Sequence, residues 1–396
     1  MPKILLLTTS DRGGGAAIVT MRLAESLRQA GAEVRVIVGD KNRFFLIRKA
    51  LDRAMVWAMN GFSMRNLWLT DGGFCGQDIT RCEDFDWADV VHLHWVNQGF
   101  LSLQIIDKIL HSGKRVCWTL HDMWPVTSIC HHAGKCDRYT ELCHDCPQLL
   151  HPSARDLSYT TFQRKANIYT DVTRFSFIGC SSWISGTAKR SALTQHLPIT
   201  TIPNAIDLGR FTLGDKEEAK RRLGIPLDAK VVCFGAARID LPLKGLHFLI
   251  EAMKQVSGKT MLLLMGGVKD RSILQHITVP YTYLGFVSDA ASVYHACDCL
   301  VNCSTFENLG TTMIEAQACG CTPAAFLTGG TGDIIQEGVT GYLAEPQNID
   351  SLAKAIHNAL TRPIKAEALR TFVEKHFSPK AVTNRHLCLY ESLEEK

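Results

Sequence analysis

Short apolar runs of strand length recur along this chain, and each is followed by glycine, proline or polar residues and then by a helical apolar period. Residues 3–7 lead through Thr8-Thr9-Ser10-Asp11-Arg12-Gly13-Gly14-Gly15 into a helical pattern over 16–28. Further runs of this kind lie at 33–38, 89–95, 115–120, 175–179, 200–203, 231–236, 261–265, 281–284 and 299–303. A run that is apolar throughout suits a strand buried on both faces, which a parallel sheet covered by helices provides. The pattern therefore predicts an α/β fold built from Rossmann-like units. With 396 residues, 46% of them hydrophobic, the chain is long enough for two domains with separate cores. Pro203-Asn204-Ala205-Ile206-Asp207 ends a strand before a fresh helical start. The predicted division is 1–204, 205–378, and a closing helix over 379–396 that packs back on the first domain.

The chemistry is expected after the strand at 299–303. Ser304-Thr305-Phe306-Glu307-Asn308-Leu309-Gly310 forms a loop with one carboxylate, and the helix that follows carries another, Glu315. A helix starting near Gly310 offers unpaired N–H groups and the positive end of its dipole to a phosphate or diphosphate. Carboxylates repel phosphate but accept hydrogen bonds from sugar or ribose hydroxyls. A ligand with a diphosphate between two sugars is a nucleotide sugar. Spacing alone is served equally well by a solvated Glu315 and a Glu307 that favours the helix dipole.

Arg238 and Lys244-Gly245 follow the strand at 231–236 and precede a helix over 246–254, where two cations suit a departing diphosphate. In the first half, alternation puts His92 and His94 on one face of their strand, and the strand at 115–120 delivers His121-Asp122 to the same sheet end. A histidine there can hydrogen-bond a hydroxyl or an oxygen of the leaving phosphate. Other chemistries lack their signatures. Gly13, Gly14 and Gly15 do not have the G-x-G-x-x-G spacing, residues 257–260 lack the upstream glycine of a P-loop, and residues 179–183 are not a nucleophile elbow.

A net charge of +4 gives no reason to expect nucleic acid as a partner, and no apolar run is long enough to span a bilayer. The first residues lack the cleavage site of a signal peptide. Fifteen cysteines, most of them scattered singly in apolar runs, read as small buried hydrophobes in a reducing cytoplasm. Cys130, Cys136, Cys143 and Cys146 are the exception. Four cysteines in one loop, ending in C-x2-C, have the ligand count of a structural zinc site, with two local disulfides or free thiols as the alternatives. Residues 41–69 mix Phe44, Leu46, Ile47, Met55 and Trp57 with Lys41, Arg43, Arg48, Lys49, Arg53 and Arg65. This predicts a basic amphipathic helix whose apolar face covers the domain core; the other reading is a helix lying on the inner face of an anionic membrane.

Glu307-x7-Glu315 resembles the E-x7-E motif of the retaining glycosyltransferases of family 4, whose GT-B architecture is two Rossmann-like domains facing across a cleft. Residues 320–323, 329–333, 338–342 and Pro346 resemble the rest of that family's C-terminal block, and residues 118–127 with the four loop cysteines resemble a branch of it found in colanic-acid and capsular polysaccharide synthesis. The resemblance implies a metal-independent enzyme that moves a sugar from a nucleoside diphosphate donor to a glycan or lipid-linked acceptor. It implies His121, Arg238, Lys244 and Glu307 as catalytic residues. Donor contacts are implied for Gly13, Gly14, Gly15, Phe286, Val287, Asn308, Leu309, Gly310, Thr311 and Glu315. The rivals are a nucleotide-sugar epimerase of the same architecture and a zinc-containing binding module.

Overall fold

The computed structural model describes residues 2–394. The chain forms two compact units, one comprising the residues up to Pro203 together with those from Val382 onward, the other Asn204–Ala381. Each is built on one six-stranded parallel sheet.

In the first unit the strands are β1 (Lys3–Thr8), β2 (Glu33–Val38), β3 (Val90–Leu93), β4 (Arg115–Leu120), β5 (Phe175–Gly179) and β6 (Ile199–Thr201). Their order in the sheet is β2-β1-β3-β4-β5-β6, with every pairing parallel. Ile4, Leu5, Leu6 and Leu7 are all fully buried, which is why β1 is apolar at every position. The order reverses between β1 and β3, so the loops leaving these two strands splay apart and open a crevice at their carboxyl ends. The C-terminal helix Pro379–Ser392 contributes the buried Tyr390, whose hydroxyl lies 2.7 Å from His92 Nδ1.

The second unit holds β7 (Lys230–Arg238), β8 (Thr260–Gly267), β9 (Tyr281–Gly285), β10 (Cys299–Asn302), β11 (Thr322–Phe326) and β12 (Tyr342–Ala344), in the order β12-β11-β10-β7-β8-β9. This is the doubly wound order, with the switch point between β7 and β10. Val232, Phe234, Leu262, Leu264, Val301 and Phe326 on the sheet pack against Leu249, Ile250 and Met253 of the helix Leu246–Met253 and against Leu352 and Ile356 of the helix Ile349–Thr361. Each such side chain contributes roughly 1.5–3 kcal/mol on burial. β11 was not legible in the sequence because Pro323 stands inside it, and proline argues against a central strand by removing a ladder donor.

Residues 41–69 depart from expectation. The helix is confined to Phe45–Met59, and of its apolar side chains only Phe45 and Val56 are buried, Val56 in an apolar cluster with Leu67, Ile129, Leu149 and Leu157. Leu46, Ile47, Leu51, Met55 and Met59 face solvent, joined by Phe44, Phe62, Met64 and Trp68 around them. Beside Val56 the helix also turns a charged pair inward. Asp52 and Arg53 are buried, with Arg53 paired to Asp52 at 2.6 Å and to Asp71 at 2.8 Å and donating to the carbonyls of Leu67 and Thr70. Asp52 also accepts from the backbone N–H groups of Phe74 and Cys75. Among the described residues no helix is long and apolar enough to cross a membrane.

Candidate active site

In the second unit the predicted residues converge on the carboxyl ends of β7 and β10. Arg238 is the last residue of β7, and its guanidinium makes a two-pronged contact with Asp240, Nε to Oδ1 at 2.7 Å and the second nitrogen to Oδ2 at 2.8 Å. Asp240 Oδ2 also accepts from the N–H groups of Lys269 and Asp270, beyond β8. The hydrogen bonds from Arg238 and these amides hold the Asp240 carboxyl well below the usual carboxylate range. Asp240 was missed by sequence reading. Its signal was a carboxylate two residues after the arginine, which in a sequence is no more than an unremarkable turn residue.

Lys244 ends a short 3-10 turn, Pro242–Lys244, that docks on the residues after β10. Thr305 N–H donates to the Leu243 carbonyl at 2.9 Å, and the Cys303 thiol reaches the Gly245 carbonyl at 3.1 Å. Gly245 has φ +77°, and a Cβ there would overlap the Cys303 carbonyl. Glycine is thus required both by conformation and by closeness of approach. The docking brings Lys244 Nζ to 3.1 Å from Glu307 Oε2, with the two side chains 30% and 17% exposed.

Residues 304–310 form the loop between β10 and the helix Thr311–Ala318. Glu307 is fixed through its backbone, since its carbonyl accepts from Gly330 N–H at 3.1 Å and lies so close to Gly329 that a Cβ there would overlap it. Leu309 is buried beneath the loop. Gly310 is the N-cap with φ +82°, and a Cβ on it would run into Met313. No side chain caps the helix, and the Met313 N–H turns back to the Gly310 carbonyl at 3.0 Å. Asn308 and Thr311 flank this N-terminus. Glu315 lies one turn along, half-buried, and close enough to the buried Tyr294 for its charge to add to the rise that burial imposes on that phenol. Phe286, 79% exposed, follows β9 and stacks over Gly267 at the end of β8, with Val287 beside it.

In the first unit, Gly13 and Gly14 have φ +74° and +86°, the left-handed region that favours glycine, and with Gly15 they form an exposed turn at the start of the helix Gly15–Gln29. His121 follows β4. Burial lowers its pKa to about 4, so it is neutral at physiological pH. Its Nε2 lies 3.0 Å from His94 Nδ1, which confirms that β3 and β4 deliver both histidines to one place. The neighbouring Asp122 forms a buried pair with His131 at 2.7 Å and accepts from the Trp95 indole at 2.8 Å. Burial would raise the Asp122 pKa, but the His131 charge and the hydrogen bonds outweigh it and hold the carboxyl at about 2. Lys165, fully buried over the Trp124 ring and donating to the Thr127 carbonyl at 3.0 Å, braces the loop that follows.

Cys130, Cys136, Cys143 and Cys146 line one cavity of about 20 Å³ together with Ile129, Tyr139 and Ser158. All four are free thiols in this structure. Among the described residues no three cysteine, histidine, aspartate or glutamate side chains are arranged so as to hold a metal ion. The four thiols share this cavity. His131, in the middle of this loop, is committed to Asp122 instead.

The two doubly wound parallel units, with the loop and helix after β10 carrying the paired glutamates, place the molecule in the GT-B class. Residues 13–210, half of the chain, match the model of Glycosyltransferase Family 4, and residues 215–376 match that of Glycosyl transferases group 1. The chain belongs to glycosyltransferase family 4. It is 25% identical over 384 residues to the D-inositol 3-phosphate glycosyltransferase of Mycolicibacterium smegmatis, covering 88% of this chain and 79% of that one. With the enzyme of the same name from Actinosynnema mirum it is 31% identical over 195 residues, and the match spans 43% of this chain and 45% of the relative, less than half the length of each. In fold it is similar to the Anabaena protein HepE, solved with UDP-glucose, at a TM-score of 0.66, 16% identity and full coverage of both chains.

Proposed function

We propose that this chain is a retaining, metal-independent glycosyltransferase that moves a sugar from a nucleoside diphosphate donor to a hydroxyl of a glycan or lipid-linked glycan in cell-surface polysaccharide synthesis. The observation that carries the reading is the grouping of Arg238, Lys244 and the uncapped helix at Thr311 with Glu307 and Glu315 around the switch point of the second sheet. Arg238 and Lys244 neutralise the departing diphosphate, with the helix N-terminus adding directed N–H groups. Glu307 accepts from hydroxyls of the transferred sugar and Glu315 from those of the ribose. Phe286 offers an exposed ring to the base, and Gly13, Gly14 and Gly15 present exposed backbone that a ligand can approach closely. His121, neutral at physiological pH, hydrogen-bonds the sugar or the leaving phosphate. The likeness to HepE, solved with UDP-glucose, supports a uridine nucleotide as the first donor to try. Incubation with a panel of nucleotide sugars tests the reading. Nucleotide release that needs an acceptor, persists with a chelator and gives a product of retained anomeric configuration supports it; release without acceptor favours an epimerase, and no release favours a binding module.

The exposed apolar side chains of the helix Phe45–Met59 support a peripheral place at an anionic membrane. Leu46 is 75% exposed and Ile47 59%, while Arg43, Lys49 and Arg65 accompany them and the one acidic side chain of the helix, Asp52, is buried. An apolar face rimmed by cations suits acyl chains below anionic headgroups. In a symmetric dimer the same cations would be brought against one another. Sedimentation with vesicles containing phosphatidylglycerol should carry the protein down, and the double substitution Leu46→Glu, Ile47→Glu should abolish this. Equal binding of that variant, or none by the wild type, removes the membrane from the account.

A further inference from the structure

Three indoles of the first unit are packed around β3 and β4, and one of them is held differently from the others. Trp118 and Trp124 are fully buried, and each indole N–H goes to a backbone carbonyl, that of His94 at 3.1 Å and that of Asp71 at 2.8 Å. Both are core residues. Trp95 lies just past the end of β3 and is only half-buried. Its carbonyl accepts from the Thr9 N–H at 2.7 Å, which ties it to the end of β1, and the Thr9 hydroxyl donates to the Asn97 carbonyl at 3.0 Å. Trp95 therefore stands at the switch point of the first sheet, where open α/β sheets take their ligands.

An indole has a single hydrogen-bonding atom, and that of Trp95 is turned inward. Nε1 donates at 2.8 Å to Asp122 Oδ2, the same oxygen that meets His131 Nδ1 at 2.7 Å. The His131 ring lies beside the indole, with centroids 5.8 Å apart. The side chain is thus fixed through its polar end by a buried carboxylate, and what it offers to solvent is ring carbon. A half-exposed indole forgoes part of the gain of burial that Trp118 and Trp124 take in full. The loop that follows is closed by the Leu101 N–H on the Val96 carbonyl at 3.0 Å, and it carries Gln98 in the left-handed region, φ +55°, which is uncommon for a residue with a Cβ. The Gln98 N–H donates to the buried Asp71 at 2.9 Å, which holds that position, and its half-buried side chain brings an amide able both to donate and to accept.

We propose that Trp95 is the platform on which a pyranose ring of the acceptor lies, with the Gln98 amide of the same loop serving a hydroxyl at the rim of that ring. This rests on the glycosyltransferase reading, and it narrows the acceptor to one that presents a sugar ring. The face of an indole is the negative part of its quadrupole, so it is matched to the slightly positive C–H bonds on the flat side of a pyranose, while the hydroxyls around the ring go to polar groups. A ring already pinned through Nε1 makes that contact at little further cost in side-chain freedom. The carboxylates and cations proposed for the donor all belong to the second unit, so a sugar-binding surface on the first sheet is assigned to the acceptor.

Proton–nitrogen correlation spectra of the full-length protein test this without turnover. The Trp95 indole N–H signal is identified by its loss in Trp95→Phe. Titration with the methyl glycosides of glucose, galactose and N-acetylglucosamine should shift that signal for one or more of the sugars, whereas UDP should leave it in place. Kinetics with the acceptor that supports nucleotide release then separate a platform from simple packing. Trp95→Leu keeps an apolar side chain but has no flat face, so it should raise KM for the acceptor about tenfold or more, with KM for the nucleotide sugar unchanged. Trp95→Phe keeps a ring and should lose less. No shift with any glycoside, or a shift with UDP alone, overturns the inference, and so does a folded Trp95→Leu with an unchanged acceptor KM. If Trp95→Leu does not fold, the titration of the wild type decides. If glycosides shift the signal but no nucleotide sugar is turned over with any acceptor, the sugar platform stands and the transferase reading falls.

Discussion

Lys244 donates to Glu307 at 3.1 Å, joining the cation assigned to the leaving diphosphate to the carboxylate assigned to the transferred sugar. On the proposed roles, an incoming diphosphate competes with Glu307 for Lys244. Lys244→Ala should therefore do two things: remove a contact to the developing charge and leave Glu307 unpaired beside the phosphates. The expected loss in kcat is about 10²–10³-fold. Glu307→Gln keeps Lys244 free for the diphosphate, so it should lose turnover while nucleotide affinity holds or rises. Steady-state kinetics with calorimetric binding of the nucleoside diphosphate separate these effects, and a fully active Glu307→Gln would remove that residue from the site.

Asp240 should behave as the support of Arg238. Arg238→Ala is expected to lower kcat by about 10²–10³-fold. Asp240→Asn keeps a single acceptor oxygen, enough for the contacts of one carboxylate oxygen but not of both, and gives up the paired charge while leaving Arg238 itself in place, so its loss should be smaller, roughly tenfold. In a double variant the two losses should not add, because both act through the same guanidinium. Additive losses would show that Asp240 acts by another route.

Glu315→Ala should weaken nucleotide binding with little effect on the chemical step. A charge-assisted hydrogen bond is worth about 1.5–3 kcal/mol, or roughly a ten- to hundredfold change in affinity. Titration with the nucleoside diphosphate and with the free base measures it. The loss should appear for the former alone, since the proposed contact is to the ribose.

Acid stability follows from the buried histidines. Burial lowers His121 and His386 to about 4, and His92 and His94 well below their ordinary value. The unfolded chain binds protons at these sites from about pH 6.5 downward, whereas the folded protein resists doing so until the pH nears 4. Unfolding therefore takes up protons in this window. Stability is fully present above about pH 6.5 and is lost as pH falls through it, by roughly 1.4 kcal/mol per pH unit for each proton taken up. His131, raised on balance by Asp122 against the opposing effect of its burial, works in the opposite direction and removes part of the slope. Urea unfolding at pH 7.5, 6 and 5 should show a steady fall, and a flat profile would mean that these rings are not buried and neutral.

The loop cysteines should be distinguishable by accessibility. Burial pushes Cys130 up to about 12 and Cys143 and Cys146 to about 11, so they remain protonated thiols at neutral pH. Cys388 is exposed and Cys136 half-buried. Brief alkylation of the native protein should label Cys388 and Cys136 before the other three, which react only after unfolding. Metal analysis giving about one zinc per chain, with all four cysteines protected together, would overturn this and support the four-thiolate site.

The alternation of apolar runs with helical periods was enough to determine the α/β class and most strands, because a strand buried on both faces must be apolar throughout. The residues at the strand ends were legible for a related reason. Arg238, Gly245, Glu307 and Gly310 sit where a strand stops and a helix starts, and the backbone there demands glycine at fixed places. What sequence could not decide was orientation and partnership. The helix Phe45–Met59 has the periodicity of a core-covering element, yet its buried face joins Phe45 and Val56 to the pairing of Arg53 with Asp52 and Asp71, and most of its apolar side chains stay exposed. In the same way only the packing of β3 beside β4 sets His94 against His121, and only the turn at Asp240 gives Arg238 its support. Composition and spacing say which groups a chain owns. Which of them meet depends on long-range contacts that bring distant residues together, and those exist only in the tertiary structure.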